Sequence, residues 1–552
     1  MKKTILPLLI LMAFVACKQE PKKSEPIVLW QPYNDSTEVA ANADHENERM
    51  RYKFIQSKVL DKNEVFLPLY EEVSRFSEAK YEMMKALVLE QDIPSIQKSI
   101  SEGKFSYEDL TRFYLHRIYK YELPNETTLN IIIALNPKVL EEARKLKPNA
   151  TGEHPIYGMP ILLKDNIGSE GMKTTAGAIA LKDNVTDDAF IVKKLKEKGA
   201  LILGKVNLSE WANFLCNCPN GQSAMGGQTL NPYGRRVFDT GGSSAGSGTS
   251  VAANYAVAAV GTETSGSILS PSSQNSVVGL KPTVGLLSRT GIVPISSTLD
   301  TPGPMTKNVT DNAILLDAML GKDVEDPKSV EGYQGILSSY QQPAPLEKIR
   351  LGAIKGLMER DSIYRKTVQI LRKGGIEIVE FTPPEVKRDG FLTLLNIDMK
   401  NDLPKYLETQ TKDKQAVKVR SVEDVVRFNL QDTLVRIPYG QERFEGILAD
   451  STNAEKFTEI KEQLKHAGRR YFDTPMNQYG LDAVLSINNW HAGYAAMAEY
   501  PALTIPMGYK ESGEPISLTF IGEPFEEAHL LRIGKTYENL NKVRKIPAAY
   551  AN

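Results

Sequence analysis

Two serine clusters lie close together in this chain, each wrapped in glycine: Thr240-Gly241-Gly242-Ser243-Ser244-Ala245-Gly246-Ser247-Gly248 and Gly261-Thr262-Glu263-Thr264-Ser265-Gly266-Ser267. Glycine at this density permits tight turns and brings backbone N–H groups close to a ligand oxygen. A flexible linker would have the same composition, but an apolar run of strand character, Ala256 to Val260, interrupts it. From Ser243 a helix of about ten residues travels roughly 15 Å. A strand of about five residues then returns about 16 Å. Ser243 and Ser267 can therefore meet at one sheet edge. Neither has an obvious base nearby in sequence.

A serine hydroxyl is a poor nucleophile at neutral pH and needs a base. The six histidines (His45, His116, His154, His466, His491, His529) fall in no recognisable pattern. A buried lysine can serve instead, because desolvation disfavours its ammonium form. Lys164 ends the apolar run Ile161-Leu162-Leu163 and precedes Asp165-Asn166. Strand ends are where α/β sheets place ligands. Taken alone, a lysine ending a strand is more often a solvated surface residue.

The elements that must position these groups read as a packed α/β domain from about residue 86. Ser106-Tyr107-Glu108-Asp109 has the form of a capping box and opens a helix with Leu110, Phe113, Tyr114 and Ile118 on one face. Asp187 and Gly199 bracket another, with Ile191, Val192 and Leu195 inward. Leu201-Ile202-Leu203 reads as a buried strand, and the core resumes at 481–485 and 503–506. A final amphipathic helix runs near Glu526–Leu540. Alternating helices and short apolar strands imply a sheet covered on both faces. Residues 385–475 are charged, helical in texture and poor in strand candidates, and read as a helical insertion beside the site. Residues 17–85 read as a tether followed by a helical segment, and 86–548 as one large domain.

The 552 residues carry 67 Lys plus Arg against 68 Asp plus Glu. No net field favours a polyanion, and no long basic run marks a nucleic-acid surface. At the N-terminus, Lys2 and Lys3 precede an apolar run from Ile5 to Val15, then Ala16-Cys17. The run is too short to span a bilayer as a helix. It resembles a bacterial lipoprotein signal (residues 1–16), which would anchor the chain to a membrane through lipidated Cys17 and place it in the cell envelope; an ordinary secretory signal is the alternative. Cys216 and Cys218, spaced i,i+2, are poorly placed to pair and lack partners for a metal site.

The linked motifs Gly158-Met159-Pro160…Lys164-Asp165-Asn166, Gly204-Lys205-Val206-Asn207-Leu208-Ser209-Glu210, Gly242-Ser243-Ser244, Gly261 to Ile268, and Gly279-Leu280-Lys281-Pro282-Thr283-Val284-Gly285 together resemble the amidase signature family, in its order and spacing over roughly residues 90–545. The resemblance implies one large domain with a central mixed β-sheet covered by helices, and a hydrolase that needs no cofactor or metal. It implies Ser267 as the acyl-forming nucleophile, Ser243 as proton relay, Lys164 as ultimate base, and backbone N–H groups of Thr264, Ser265, Gly266 and Ser267 as the oxyanion hole. Two positions depart from the common pattern: Ser265 stands where many members have Gly or Asp, and Leu269 where many have Arg. Leu208 to Asn213, Gly226-Gly227-Gln228-Thr229 and Gly440 to Phe444 are similar to the peptide amidase branch, which implies a peptide C-terminal amide as substrate with Gly227 and Gln228 near it. Small aliphatic or aryl amides are the alternative substrates.

Four other readings compete. Gly242 to Gly246 also fits the Gly-x-Ser-x-Gly elbow of α/β-hydrolases, but Arg235 to Thr240 is a poor strand to precede it. Gly199 to Lys205 nearly matches a phosphate-binding loop, but Val206 replaces the Ser/Thr that would hold magnesium. A non-catalytic binding lipoprotein on the same fold would have no need to keep Lys164, Ser243 and Ser267 together. A tRNA-dependent amidotransferase subunit has cytosolic partners, whereas the N-terminus of this chain reads as an export signal.

Overall fold

The computed structural model describes residues 27–551, apart from 149–151, 332, 334, 340, 342 and 343. Cys17 and the signal expected over residues 1–16 lie outside the described residues. Among the described residues thirteen strands occur: β1 Ile132–Leu135, β2 Pro160–Lys164, β3 Leu201–Val206, β4 Gln222–Ser223, β5 Gly227–Gln228, β6 Ala258–Glu263, β7 Val278–Lys281, β8 Thr301–Thr306, β9 Arg350–Ile354, β10 Glu377–Phe381, β11 Ala483–Ile487, β12 Ala502–Tyr509 and β13 Pro515–Ile521. Eleven of them form one sheet in the order β1-β3-β2-β6-β8-β7-β12-β13-β11-β9-β10, while β4 and β5 pair apart. The sheet is mixed: β3-β2-β6 and β11-β9-β10 are parallel, and the remaining neighbours are antiparallel.

Strands β2, β3, β6, β8 and β13 are buried at every residue. A strand shows no alternation only when both of its faces are covered, and helices flank this sheet on both sides. The capping box at Ser106 and Asp109 is formed and starts the helix Tyr107–Glu122. The helix Phe190–Glu197 buries Ile191, Val192 and Leu195 as read from the sequence, but its N-cap is Ala189. Asp187 instead pairs with Lys412. The last helix is Glu527–Leu540.

The N-terminal segment is part of the main body. Phe66, Tyr81, Met84 and Val88 are fully buried in the same apolar cluster as the sheet. Their helices, Lys62–Ser74 and Glu78–Val88, bury one face each.

Between β10 and β11 the chain forms five helices: Phe391–Gln410, Val422–Asn429, Thr433–Arg436, Glu442–Ala449 and Ala454–Tyr479. Their apolar faces close a second core that also takes in Trp211, Phe214, Val293 and Ile295. The helical segment is therefore seated on loops that border the strand ends. In one of these loops the bend at 214–217 brings Cys216 and Cys218 together as a disulfide, with Cα atoms 5.1 Å apart. This corrects the reading that their spacing keeps them separate.

Candidate active site

Parallel pairing of β2 with β6 brings the carboxyl ends of both strands to one edge of the sheet. There the triplet Lys164-Asp165-Asn166 divides into three tasks. Lys164 is completely buried. Its Nζ lies 2.8 Å from Ser243 Oγ, 2.8 Å from Thr262 Oγ1 and 3.1 Å from the Thr262 carbonyl oxygen. Asn166 Nδ2 donates to the same Thr262 hydroxyl at 3.0 Å, which fixes its orientation. Burial pushes the Lys164 amine down to about 7, against the charges of Asp300 and Glu263, which oppose the shift. Near neutrality a large fraction of this amine is uncharged, and an uncharged amine beside a hydroxyl can accept its proton.

Asp165 faces away, and Lys205 Nζ sits 3.2 Å from its Oδ1 with both side chains fully buried. Lys205 also donates to Thr174 Oγ1 and to the Lys173 carbonyl. Lys205 is thus the counter-ion of Asp165 beside Lys164, and the phosphate-loop reading of Gly199–Lys205 gives way to strand β3. Removing one partner strands a buried charge, so Lys205→Met is expected to cost about 3–5 kcal/mol of stability. Urea unfolding followed by circular dichroism measures it; a loss below 1 kcal/mol would contradict this role.

Ser243 and Ser244 stand at the start of the helix Ala245–Ala252, after a cis Gly242–Ser243 peptide. Ser244 ties the segment down. Its Oγ donates to the Thr262 carbonyl at 3.0 Å and accepts from the Thr262 N–H at 3.2 Å. Its N–H donates to the Ser267 carbonyl at 3.1 Å, so the two serine segments run side by side. Gly246 allows the helix to close on β3, because a Cβ there would lie 2.3 Å from the Asn207 carbonyl oxygen. Ser243 is fully buried and Ser267 is partly exposed.

The loop after β6 carries Thr264, Ser265, Gly266 and Ser267. Glu263 folds back under it, accepting from the N–H groups of Gly266 at 2.7 Å, Ile268 at 2.7 Å and Leu269 at 3.0 Å. The Gly266 N–H is therefore spent on a carboxylate, which corrects its inclusion among the oxyanion donors. Among the described residues, the N–H groups of Thr264, Ser265 and Ser267 have no such acceptor. Gly266 itself sits at φ +97°, a conformation that side chains rarely adopt. Beside the loop is a cavity of about 220 Å³ bordered by Asn166, Thr262, Thr264 and Asp300 and, from the inserted helix Phe391–Gln410, by Asp402 and Tyr406.

The Amidase family model matches residues 109–486, a span holding all of these groups. The chain belongs to the amidase family. A probable amidase of Arabidopsis thaliana is 35% identical over 483 residues, covering 83% of this chain and 92% of that one. An amidase family protein from Bacillus anthracis has a solved structure with a TM-score of 0.81 at 35% identity, covering 89% of this chain and 99% of that one. The native peptide amidase from Stenotrophomonas maltophilia matches with a TM-score of 0.77 at 34% identity, covering 83% and 98%. This chain is an amide hydrolase whose mixed sheet and flanking helices are those of its structural neighbours.

Other residues of this amidase are placed away from the strand ends. Gly227 and Gln228 are buried in the β4–β5 pair. Gln228 spends its amide on the Asn220 and Thr229 carbonyls, and its N–H on the Ile55 carbonyl. A Cβ on Gly227 would lie 2.4 Å from that same oxygen. The pair anchors the N-terminal segment and does not border the 220 Å³ cavity. The Ser–His alternative finds no histidine at the serines: His491 Nδ1 pairs with Ser486 Oγ at 2.6 Å and His529 with Asp482 at 2.8 Å. Burial pushes His491 down to about 4. Sequence reasoning did not single out Thr262, Glu263 or Asp300. Thr262 and Glu263 lie inside the quoted Gly261–Ile268 motif, and Asp300 only signals through its place before β8.

Proposed function

We propose that this amidase cleaves a carboxamide through an acyl-enzyme on Ser267. Ser243 carries the Ser267 proton to Lys164 and later returns it to the departing amine; water then releases the acid by the same route. The observation that carries this reading is the wholly buried Lys164 amine 2.8 Å from Ser243 Oγ. Free N–H groups at Thr264, Ser265 and Ser267 would receive the developing oxyanion, where one such donor contributes about 3–4 kcal/mol of barrier lowering. The arrangement is a Ser-Lys variant of triad chemistry.

We further propose a peptide C-terminal amide as the substrate, with ammonia as the released product. Likeness to the Stenotrophomonas peptide amidase supports it. So does the meeting of two separate sequence cues: Trp211 packs on Phe444, with ring centroids 5.3 Å apart, and the Arg443 N–H donates to the Leu215 carbonyl. Ammonia release from a panel of peptide amides and small aryl amides tests the assignment. Turnover of peptide amides is expected; turnover confined to aryl amides would overturn the peptide assignment while leaving the amidase chemistry intact.

Lipidation at Cys17 is the remaining part of the proposal. Expression with a labelled fatty acid should mark the wild-type chain and not Cys17→Ala. Equal labelling of the two chains, or none in either, would refute the anchor.

A further inference from the structure

We infer that Arg388 selects substrates whose acyl part carries a carboxylate, an inference that rests on the acyl-enzyme reading above. Arg388 lies between β10 and the helix Phe391–Gln410, with an exposed side chain. Its guanidinium stands 5.1 Å from the centroid of the Tyr494 ring. Tyr471 stacks on the same ring, with centroids 4.2 Å apart and planes 6° from parallel. The cation is thus held on a two-ring platform rather than waving in solvent.

The platform borders the nucleophile loop. Tyr494 belongs to the helix Ala492–Ala498, which follows β11. A Cβ on Gly266 would meet Asn489 Nδ2 at 3.0 Å and Ala492 Cβ at 3.4 Å. A Cβ on Gly493 would lie 2.8 Å from Arg388 Nη1 and 3.7 Å from Ser265 Oγ. Arg388 and Ser265 therefore flank one point on this helix, and glycine at 493 leaves room for both.

Among the described residues Arg388 has no carboxylate partner, and its only specific contact is the ring stack. Ser265 offers a hydroxyl, so nothing on the loop neutralises the guanidinium. A planar fork with uncommitted donors takes a carboxylate through two parallel hydrogen bonds. The side of the substrate follows from the sheet order. Lys164 lies on β2, one strand beyond β6, and the amine must be protonated on that flank. The Arg388 platform follows β11, on the opposite flank of β6. The acyl part extends there.

The test compares kcat/KM for the α-amides of N-acetylglutamate, N-acetylmethionine and N-acetyllysine, read by ammonia release, in the wild type, Arg388→Met and Arg388→Glu. Circular dichroism verifies that each variant is folded. The wild type is expected to favour the glutamate amide over the methionine amide by at least about tenfold. That ratio should fall towards one in Arg388→Met, and Arg388→Glu should favour the lysine amide. Equal wild-type rates on all three amides would overturn the inference alone, as would an equal fall on all three in Arg388→Met. Turnover of none by the wild type would overturn the peptide-amide assignment and this inference with it.

Discussion

Replacing Lys164 with methionine is expected to lower kcat/KM on the order of 10²–10⁴-fold, the range of a lost general base. Methionine fills a similar volume, so the buried edge keeps its packing while the amine disappears. Ser243 Oγ then loses the group at 2.8 Å that takes its proton. Thr262 keeps its bond from Asn166 and stays in place. The wild-type pH dependence carries the same information with a definite sign. The amine acts only when neutral, and burial places its proton affinity at about 7. Activity should therefore rise as pH passes upward through about 7 and then level. An unperturbed lysine would keep activity rising towards pH 10. A flat profile between pH 6 and 9, or Lys164→Met retaining more than a tenth of wild-type kcat/KM, would remove lysine from the chemistry.

The second large effect is at Ser267. Ser267→Ala is expected to cost about 10⁴–10⁶-fold in kcat, as nucleophile deletions do where a relay acts as a unit. The fold should be untouched, because this side chain is only partly buried and the Ser267 carbonyl, which takes the Ser244 N–H, remains in the variant. An unchanged thermal midpoint with no turnover separates loss of chemistry from loss of structure. Combining Ser267→Ala with Lys164→Met should add little to either, since the two groups serve one step. Full additivity would mean that they act in separate processes.

Much of the site was legible because it is built from local signals. The helix after Ser243 and the strand that returns to Ser267 follow from composition over two dozen residues, whereas Lys164, a cation ending an apolar strand, gains its place only from the linked motifs of the family resemblance. The parts that were not legible depend on partners distant in sequence. Asp165 is adjacent to Lys164, yet its task is set by Lys205 on a neighbouring strand. Gly266 looks like a free donor until Glu263 is seen to turn back on its N–H. Gly227 and Gln228 were placed near the substrate by the resemblance to the peptide amidase branch. They are consumed in anchoring residue 55. Residues 17–85 read as a tether and a helical segment, and only the shared core shows where Phe66 and Tyr81 go. The inserted helices were recognisable as helices, but their seat on Trp211 and Val293 required the second core.

The central claim is that a neutral buried amine, working through one hydroxyl, activates another. Its most direct test is the rate of covalent capture of the protein by a fluorophosphonate reagent, followed by mass spectrometry across pH in the wild type and Lys164→Met. The expected result is a single adduct on Ser267, formed faster as pH rises through about 7 and almost absent in Lys164→Met. An adduct on another residue, or equal capture of Ser267 without Lys164, would contradict it.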